Sequence, residues 1–196
     1  ALPPEALVLG TGSLKRPVLA AWQPQLPRFV GCHPMAGNAE AGVEAGVAGL
    51  FQGRPWVITP SGQESTADLE MARALGQDLG STVLECDPAE HDRAVAFISH
   101  MPVLVSAALL QSAAAAEPQG LLQALASSGF ADTTRIGGGN PELGSLMARC
   151  NREAVQQALA AYSKALHHLA EQVEGQDWTG LQQALASAQA VRPSFL

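Results

Sequence analysis

Apolar residues recur along this chain in two rhythms. Up to about Asp87 they come in short runs, EALVLG (5–10), RFVGC (28–32), PWVITP (55–60) and STVLEC (81–86), separated by turn residues. Each run predicts a strand. Between the last two, STADLEMARALGQDLG (65–80) repeats Leu69, Ala72, Leu75 and Leu79 at helical spacing, with Ser65 or Thr66 as its cap and Gly80 as its stop. A strand, helix, strand order predicts parallel pairing of the strands it joins. The first part of the chain is therefore α/β.

From Pro88 onward every predicted element is helical. The run PELGSLMARCNREAVQQALAAYSKALHHLAEQVEG (141–175) is rich in Ala, Leu, Gln and Glu, and it predicts one unusually long helix stopped by Gly175. Its apolar stripe, Leu146, Val155, Leu159, Tyr162, Leu166, Leu169 and Val173, is more than one small domain covers easily, which points to a second subunit; packing within its own half is the alternative. A final helix, WTGLQQALASAQA (178–190), follows a short turn. The span Ala94–Ala116 carries no charge and raises the question of a membrane. Its His, Pro, Gln, three Ser and many Ala make it too weakly apolar, so a buried helix is expected instead.

Composition narrows the function. With 196 residues, 47% of them hydrophobic, the chain can bury a sizeable core. A net charge of -7, with only 11 Lys and Arg and no basic cluster, argues against a nucleic-acid partner. The three cysteines, Cys32, Cys86 and Cys150, fit no CxxC spacing and predict reduced core thiols, which suits the cytoplasm. No basic stretch precedes an apolar one at the start, so no signal peptide is expected. The chain begins without Met and enters a strand with no earlier partner, as though the opening of a doubly wound sheet had been removed.

Three stretches carry candidate chemistry. FVGCHPMAGN (29–38) ends an apolar run in His33 and continues in mostly small residues, leaving room beside the imidazole. GTGSLK (10–15) resembles a dinucleotide fingerprint weakly, because Lys15 stands at the third glycine position; a tight turn into a helix capped by Ser13, with Pro17 in its first turns, is the simpler expectation. SSGFADTTRIGGGNPEL (127–143) reads as a loop with a lone Arg135, suited to bidentate capture of a carboxylate and equally to an ion pair with Asp132 or Glu142. Among the other histidines, His100 shares with His33 an apolar setting next to proline, where an imidazole needs a partner. His91 opens a helix beside Asp92, and His167 and His168 are structural or solvated.

GSLK, FVGCHPMAG, WVITP, EHDRAVAFISHMPVLVSAAL and SSGFADTTRIGGGNPELGSLMARCN, from near Leu7 to about Asn151, together resemble the prephenate and arogenate dehydrogenases of tyrosine biosynthesis. GGGNPELG is most similar to the arogenate-using, NADP-dependent members. The resemblance implies the later part of a Rossmann-type nucleotide-binding domain (1–87), without its GxGxxG half, followed by a helical dimerisation and substrate-binding domain (88–196). It also implies a homodimer without membrane or nucleic-acid partners, and a chain that is inactive alone. Two departures stand out: Gly10 replaces the Asp of a D-V-x-S-x-K motif, and Asn38 follows HPMAG where Thr is common.

The activity so implied is NADP-dependent oxidative decarboxylation of arogenate to tyrosine, with NAD the less favoured cofactor. Prephenate conversion to 4-hydroxyphenylpyruvate and a non-catalytic dimerisation fragment are the alternatives. A hydroxy-acid dehydrogenase would need a catalytic Lys on a helix, and Lys164 is placed as a surface residue. By the resemblance His33 is the base, Ser13 hydrogen-bonds it and lies near the nicotinamide, Arg135 binds a substrate carboxylate, His100 contacts the substrate, and no metal takes part.

Overall fold

The computed structural model describes residues 2–3, 5–37, 42, 44 and 46–195, so Asn38 lies outside the described residues. Strands form where the β-prone runs stand: β1 Val8–Gly10, β2 Phe29–Pro34, β3 Pro55–Ile58 and β4 Thr82–Glu85. They make one sheet in chain order. β1 runs parallel to β2, with Val8 opposite Phe29. β3 runs parallel to β4, as strand, helix, strand predicts, while β2 and β3 are antiparallel, with His33 opposite Val57.

The helix between β3 and β4 is α2 (Thr66–Asp78). Ser65 caps it by accepting the Asp68 amide at 3.1 Å, and Gly80, at φ +74°, makes the left-handed turn after it. α2 lays Ala72, Leu69 and Leu79 on Val30, Cys32, Trp56 and Ile58, which is the core of this region. Each large apolar side chain buried there contributes about 1.5–3 kcal/mol. Side chains alternate along a strand. The pleat that turns Val30 and Cys32 into this core therefore turns Gly31 and His33 to the other face, where a Cβ at Gly31 would press on Leu19 of α1 (Arg16–Trp22).

The start of α1 differs from expectation. Ser13 does not cap it. The carboxylate of Asp92, 77 positions beyond Lys15, accepts the amides of Lys15 and Arg16 at 2.8 and 3.0 Å. A full negative charge satisfies two of the helix's unpaired donors at once, which a neutral hydroxyl cannot do.

The remainder is helical, as the rhythm after Pro88 predicts. α3 (Pro88–Val95), capped by Asp87, runs through a π-helical turn, Ala96–His100, into α4 (Met101–Ala115). Pro102 has no amide hydrogen to return to the helix, and the Met101 amide reaches five residues back to Ala96, so the winding loosens just before the proline. α5 (Gln119–Leu125), α6 (Ser128–Thr134), α7 (Pro141–Cys150), α8 (Arg152–Glu174) and α9 (Trp178–Val191) follow, then a 3-10 turn, Arg192–Ser194.

Several expectations are corrected. The long helix of 141–175 is two, α7 and α8, broken at Asn151 (φ −122°, ψ 34°), whose side chain is drawn into a buried polar cluster. The stretch 127–143 is not all loop, since α6 occupies its first part. The span 94–116 is helical but not buried: Phe97 and Ile98 are 46% and 57% exposed, and within Pro88–Ala115 only 22% of the most apolar window is covered. Small Ala side chains offer little to grip, and α4 fully buries only Ser106. Of the three thiols, all free, only Cys32 lies in the core, and Cys150 is exposed at the end of α7.

Ala1–Val155 forms one compact unit and Gln156–Leu196 a second, with α8 starting in the first and continuing into the second. In the second unit α9 is capped by Asp177, which accepts the Gly180 amide at 2.9 Å. Leu166, Val173, Trp178, Leu185 and Val191 are each more than half exposed there.

Candidate active site

His33 stands one residue from the end of β2. Because β1 and β2 are parallel, their carboxyl ends, Gly10 and Pro34, open at the same edge, where ligands collect in sheets built from strand–helix–strand units. The pleat has already turned His33 away from the core. It meets α3 there: His33 Nδ1 lies 2.8 Å from His91 Nε2, with ring centroids 5.0 Å apart and planes at 68°.

Behind this contact is a connected cluster. His91 Nδ1 is 2.9 Å from Asp92 Oδ1, the atom that also accepts the Lys15 amide. The Asp92 carbonyl accepts from the Asn151 side-chain amide at 2.7 Å, and the same nitrogen is 3.3 Å from His100 Nδ1. The Lys15 ammonium, wholly enclosed, donates to the carbonyls of Gly10 at 2.8 Å and of Cys32. Lys15, His91, Asp92, His100 and Asn151 are all buried, whereas His33 is half-buried. The Asp87 cap sets the phase of α3, so that His91, Asp92 and Val95 share its covered face. The loosened turn that follows brings His100 onto the same cluster.

Burial decides the charge states. Desolvation, with the repulsion a charged His33 would meet from His91, Lys15 and His100 adding to it, takes His33 from its ordinary 6.5 down to about 4. At neutral pH it is an uncharged imidazole with a lone pair to offer. Desolvation lowers His100 as well, and it takes Lys15 down to about 8. Burial pushes Asp92 upward, but the hydrogen bonds from His91 and from the amides of Lys15 and Arg16 outweigh it and hold the carboxyl below its usual value. The Cys32 thiol, desolvated, is pushed up to about 11 and stays protonated. Among the described residues His100 Nε2 is buried without a hydrogen-bond partner, a state that costs about 1–3 kcal/mol.

Arg135 follows α6 directly, on a turn fixed to α4. The Ser106 hydroxyl donates to the Thr133 carbonyl at 2.9 Å and accepts the Gly137 amide at 2.8 Å. Gly137 lies so close to the Ala107 backbone that no Cβ fits. Arg135 itself is exposed and, among the described residues, pairs with neither Asp132 nor Glu142. Ser13 is half-buried after β1, and among the described residues it makes no hydrogen bond to His33; the nitrogen that faces a partner faces His91. His33 and His100 thus belong to one cluster, while Ser13 and Arg135 stand apart from its hydrogen bonds. Sequence reasoning missed Lys15, Asp92 and Asn151. The adjacent His and Asp of EHDR were the available signal for Asp92, and a polar Asn amid a helical repeat was the signal for Asn151. A buried lysine leaves none. Gly10, the residue departing from the D-V-x-S-x-K pattern, gives its carbonyl to Lys15.

Comparison with known proteins gives two family matches, "Prephenate dehydrogenase, nucleotide-binding domain" over residues 1–85 and "Prephenate dehydrogenase, dimerization domain" over 87–187. The prephenate dehydrogenase of Bacillus subtilis (strain 168) is 29% identical over 177 residues, 88% of this chain and 48% of that protein, so the chain spans about half that relative's length. The Synechocystis arogenate dehydrogenase structure superposes with a TM-score of 0.84 at 39% identity, covering 100% of this chain and 71% of that one. The A. aeolicus prephenate dehydrogenase, solved with hydroxyphenyl propionate and NAD+, gives a TM-score of 0.91 at 28% identity, covering 100% and 69%.

Proposed function

The chain belongs to the prephenate dehydrogenase family, and from that membership we propose that it carries the substrate side of an NADP-dependent oxidative decarboxylation of arogenate to tyrosine. The observation that carries this reading is His33: a half-buried imidazole at the carboxyl ends of a parallel strand pair, neutral at pH 7. His33 takes the proton of the substrate's ring hydroxyl while the hydride on the same carbon departs. The C–O bond becomes a carbonyl, carbon dioxide leaves, and the electron pair of the broken C–C bond makes the ring aromatic. A base held near 4 then readily returns its proton to the new phenolic oxygen. General-base transfer of this kind is worth roughly 10²- to 10⁴-fold in rate.

A bound nicotinamide supplies the hydride acceptor. Ser13, half-buried in the loop after β1 at the edge where such cofactors bind, suits a place beside it. Arg135, exposed on a turn pinned to α4, takes a substrate carboxylate through its guanidinium fork. His100 offers the unpartnered Nε2 to the same ligand. We divide the chain at Asp87 and Pro88 into a nucleotide-binding part and a helical part, a division supported by where the two family matches meet. The helical part makes a homodimer in this reading, supported by the exposed Phe97, Ile98 and Leu121 and by the family's name for the segment. Three free thiols go with a reducing cytoplasm.

Arogenate is favoured by the 39% identity to the Synechocystis enzyme, and NADP by the GGGNPELG stretch. Prephenate with NAD is the second reading, supported by the names of the B. subtilis and A. aeolicus relatives. Steady-state turnover by the full-length enzyme or its reconstituted equivalent, with each substrate and each cofactor, separates them. The expected result is the highest kcat/KM for arogenate with NADP+, and a preference for prephenate would overturn the assignment. Calorimetry with hydroxyphenyl propionate checks the binding side alone, with affinity expected to fall in Arg135→Gln.

A further inference from the structure

His33, His91 and Asp92 form a row, and with both imidazoles neutral, counting donors assigns the hydrogen on each nitrogen. Asp92 is a carboxylate and only accepts; its Oδ1 already takes the Lys15 amide at 2.8 Å. His91 Nδ1, 2.9 Å from that same oxygen, must therefore carry a hydrogen. With the His91 ring neutral, the other nitrogen is then a lone pair and His91 Nε2 accepts. His33 Nδ1 lies 2.8 Å from it, and two lone pairs at that distance repel, so His33 Nδ1 donates. A neutral imidazole with its hydrogen on Nδ1 has a bare Nε2. His91 and Asp92 are each only 4% exposed, so water does not compete for these bonds. Asp92 cannot turn, because the amides of Lys15 and Arg16 grip both of its oxygens.

We propose that His91 and Asp92 are positioning residues for His33, holding it in the tautomer whose Nε2 is free to take the substrate's proton. The chemical consequence rests on His33 being the base; the tautomer does not. Without an acceptor at Nδ1, the ring reverts to the form free histidine prefers, with hydrogen on Nε2, and the nitrogen needed for proton removal is blocked. On this proposal a residue from α3 orients the ring through Nδ1, alongside the role that the family resemblance gives Ser13.

Nitrogen-15 NMR of the histidine-labelled 196-residue chain reads the tautomers directly, without turnover. At neutral pH, His33 is expected with a protonated Nδ1 and a bare Nε2, and His91 with a protonated Nδ1. In His91→Phe, His33 should move to the Nε2–H form. In His91→Gln, whose amide oxygen can accept from Nδ1, it should stay as in the wild type. In turnover by the full-length enzyme or its reconstituted equivalent, His91→Phe should lower kcat about tenfold or more with KM within about twofold, and His91→Gln should recover most of that loss. A wild-type His33 protonated on Nε2 overturns the proposal even if the Phe variant does not fold, and so does an unchanged tautomer in His91→Phe. Undiminished turnover in His33→Asn would instead overturn the reading of His33 as base, with the tautomer result standing separately.

Discussion

The chain keeps its five histidines in two groups that behave as different chemical species. In the unit Ala1–Val155, His33, His91 and His100 sit in a buried cluster where each ring nitrogen that is paired faces a specific, fixed partner. In the other unit, His167 and His168 on α8 face Glu171 at 3.2 and 4.0 Å, with all three side chains more than half exposed. A carboxylate is near the imidazoles in both places. On the surface such a pair is worth about 0–1 kcal/mol, because water and salt screen it and the side chains lose freedom to form it. In the cluster, the absence of competing water makes the same contact decide protonation and tautomer. What an imidazole does is set by its surroundings, and a neighbouring acid counts only where water is excluded.

The sharpest way to break this contrast is at His33. His33→Asn should retain the fold while kcat drops roughly 10²- to 10⁴-fold, whereas Arg135→Gln should mainly raise KM, by about ten- to a hundredfold, the equivalent of a charged hydrogen bond of about 1.5–3 kcal/mol. Steady-state kinetics tells the two signatures apart; a binding loss in His33→Asn with kcat intact would reverse the assigned roles. Next comes Asp92→Ala, which strands two helix amides and the His91 ring at once. Removing one partner from a buried charged network costs about 3–5 kcal/mol, so the denaturant midpoint should fall far below the wild-type value.

Acid provides a smaller effect. His33 and His100 are held below their unfolded value of about 6.5, so the unfolded chain binds more protons than the folded one as pH drops. Their contribution to stability is complete above that value and is lost as pH falls toward about 4, the point set by His33. Urea unfolding at stepped pH should show this decline, with a shallower slope in His33→Asn. The least effect belongs to the surface pair: Glu171→Ala should leave stability within about 0.5 kcal/mol, and a larger loss would mean that α8 is covered in the assembled protein.

How much of this was legible depends on the distance over which each feature is determined. The strands and α2 follow from local periodicity, with Ser65 and Gly80 marking its ends, and they stand where the pattern puts them. His33 was visible because a small-residue stretch comes after it. The start of α1 was misjudged because Ser13 is a good local cap that loses to Asp92, a residue whose reach depends on how α3 packs. Asn151 breaks a helix that propensity alone would continue, since its amide finds the Asp92 carbonyl and His100. Lys15 stood out only as the residue in the third glycine position of GTGSLK, and it is the most enclosed polar side chain of the cluster. The common cause is non-local: a polar residue leaves the surface only when partners from distant segments converge on it.

The π-helical turn at Ala96–His100 works as a phase shifter in an otherwise continuous rod. An α-helix advances about 100° per residue and this turn takes up one residue more than an α turn, so if Ala96–His100 wound regularly without loss of a residue, everything downstream would be rotated by about that angle. His91 and Asp92 lie upstream and would keep their grip on His33. Ser106, downstream, would swing away from the turn that carries Arg135. Regular winding through this one turn would thus misalign the His33 cluster and the Ser106 pin like a vernier slipped by one division.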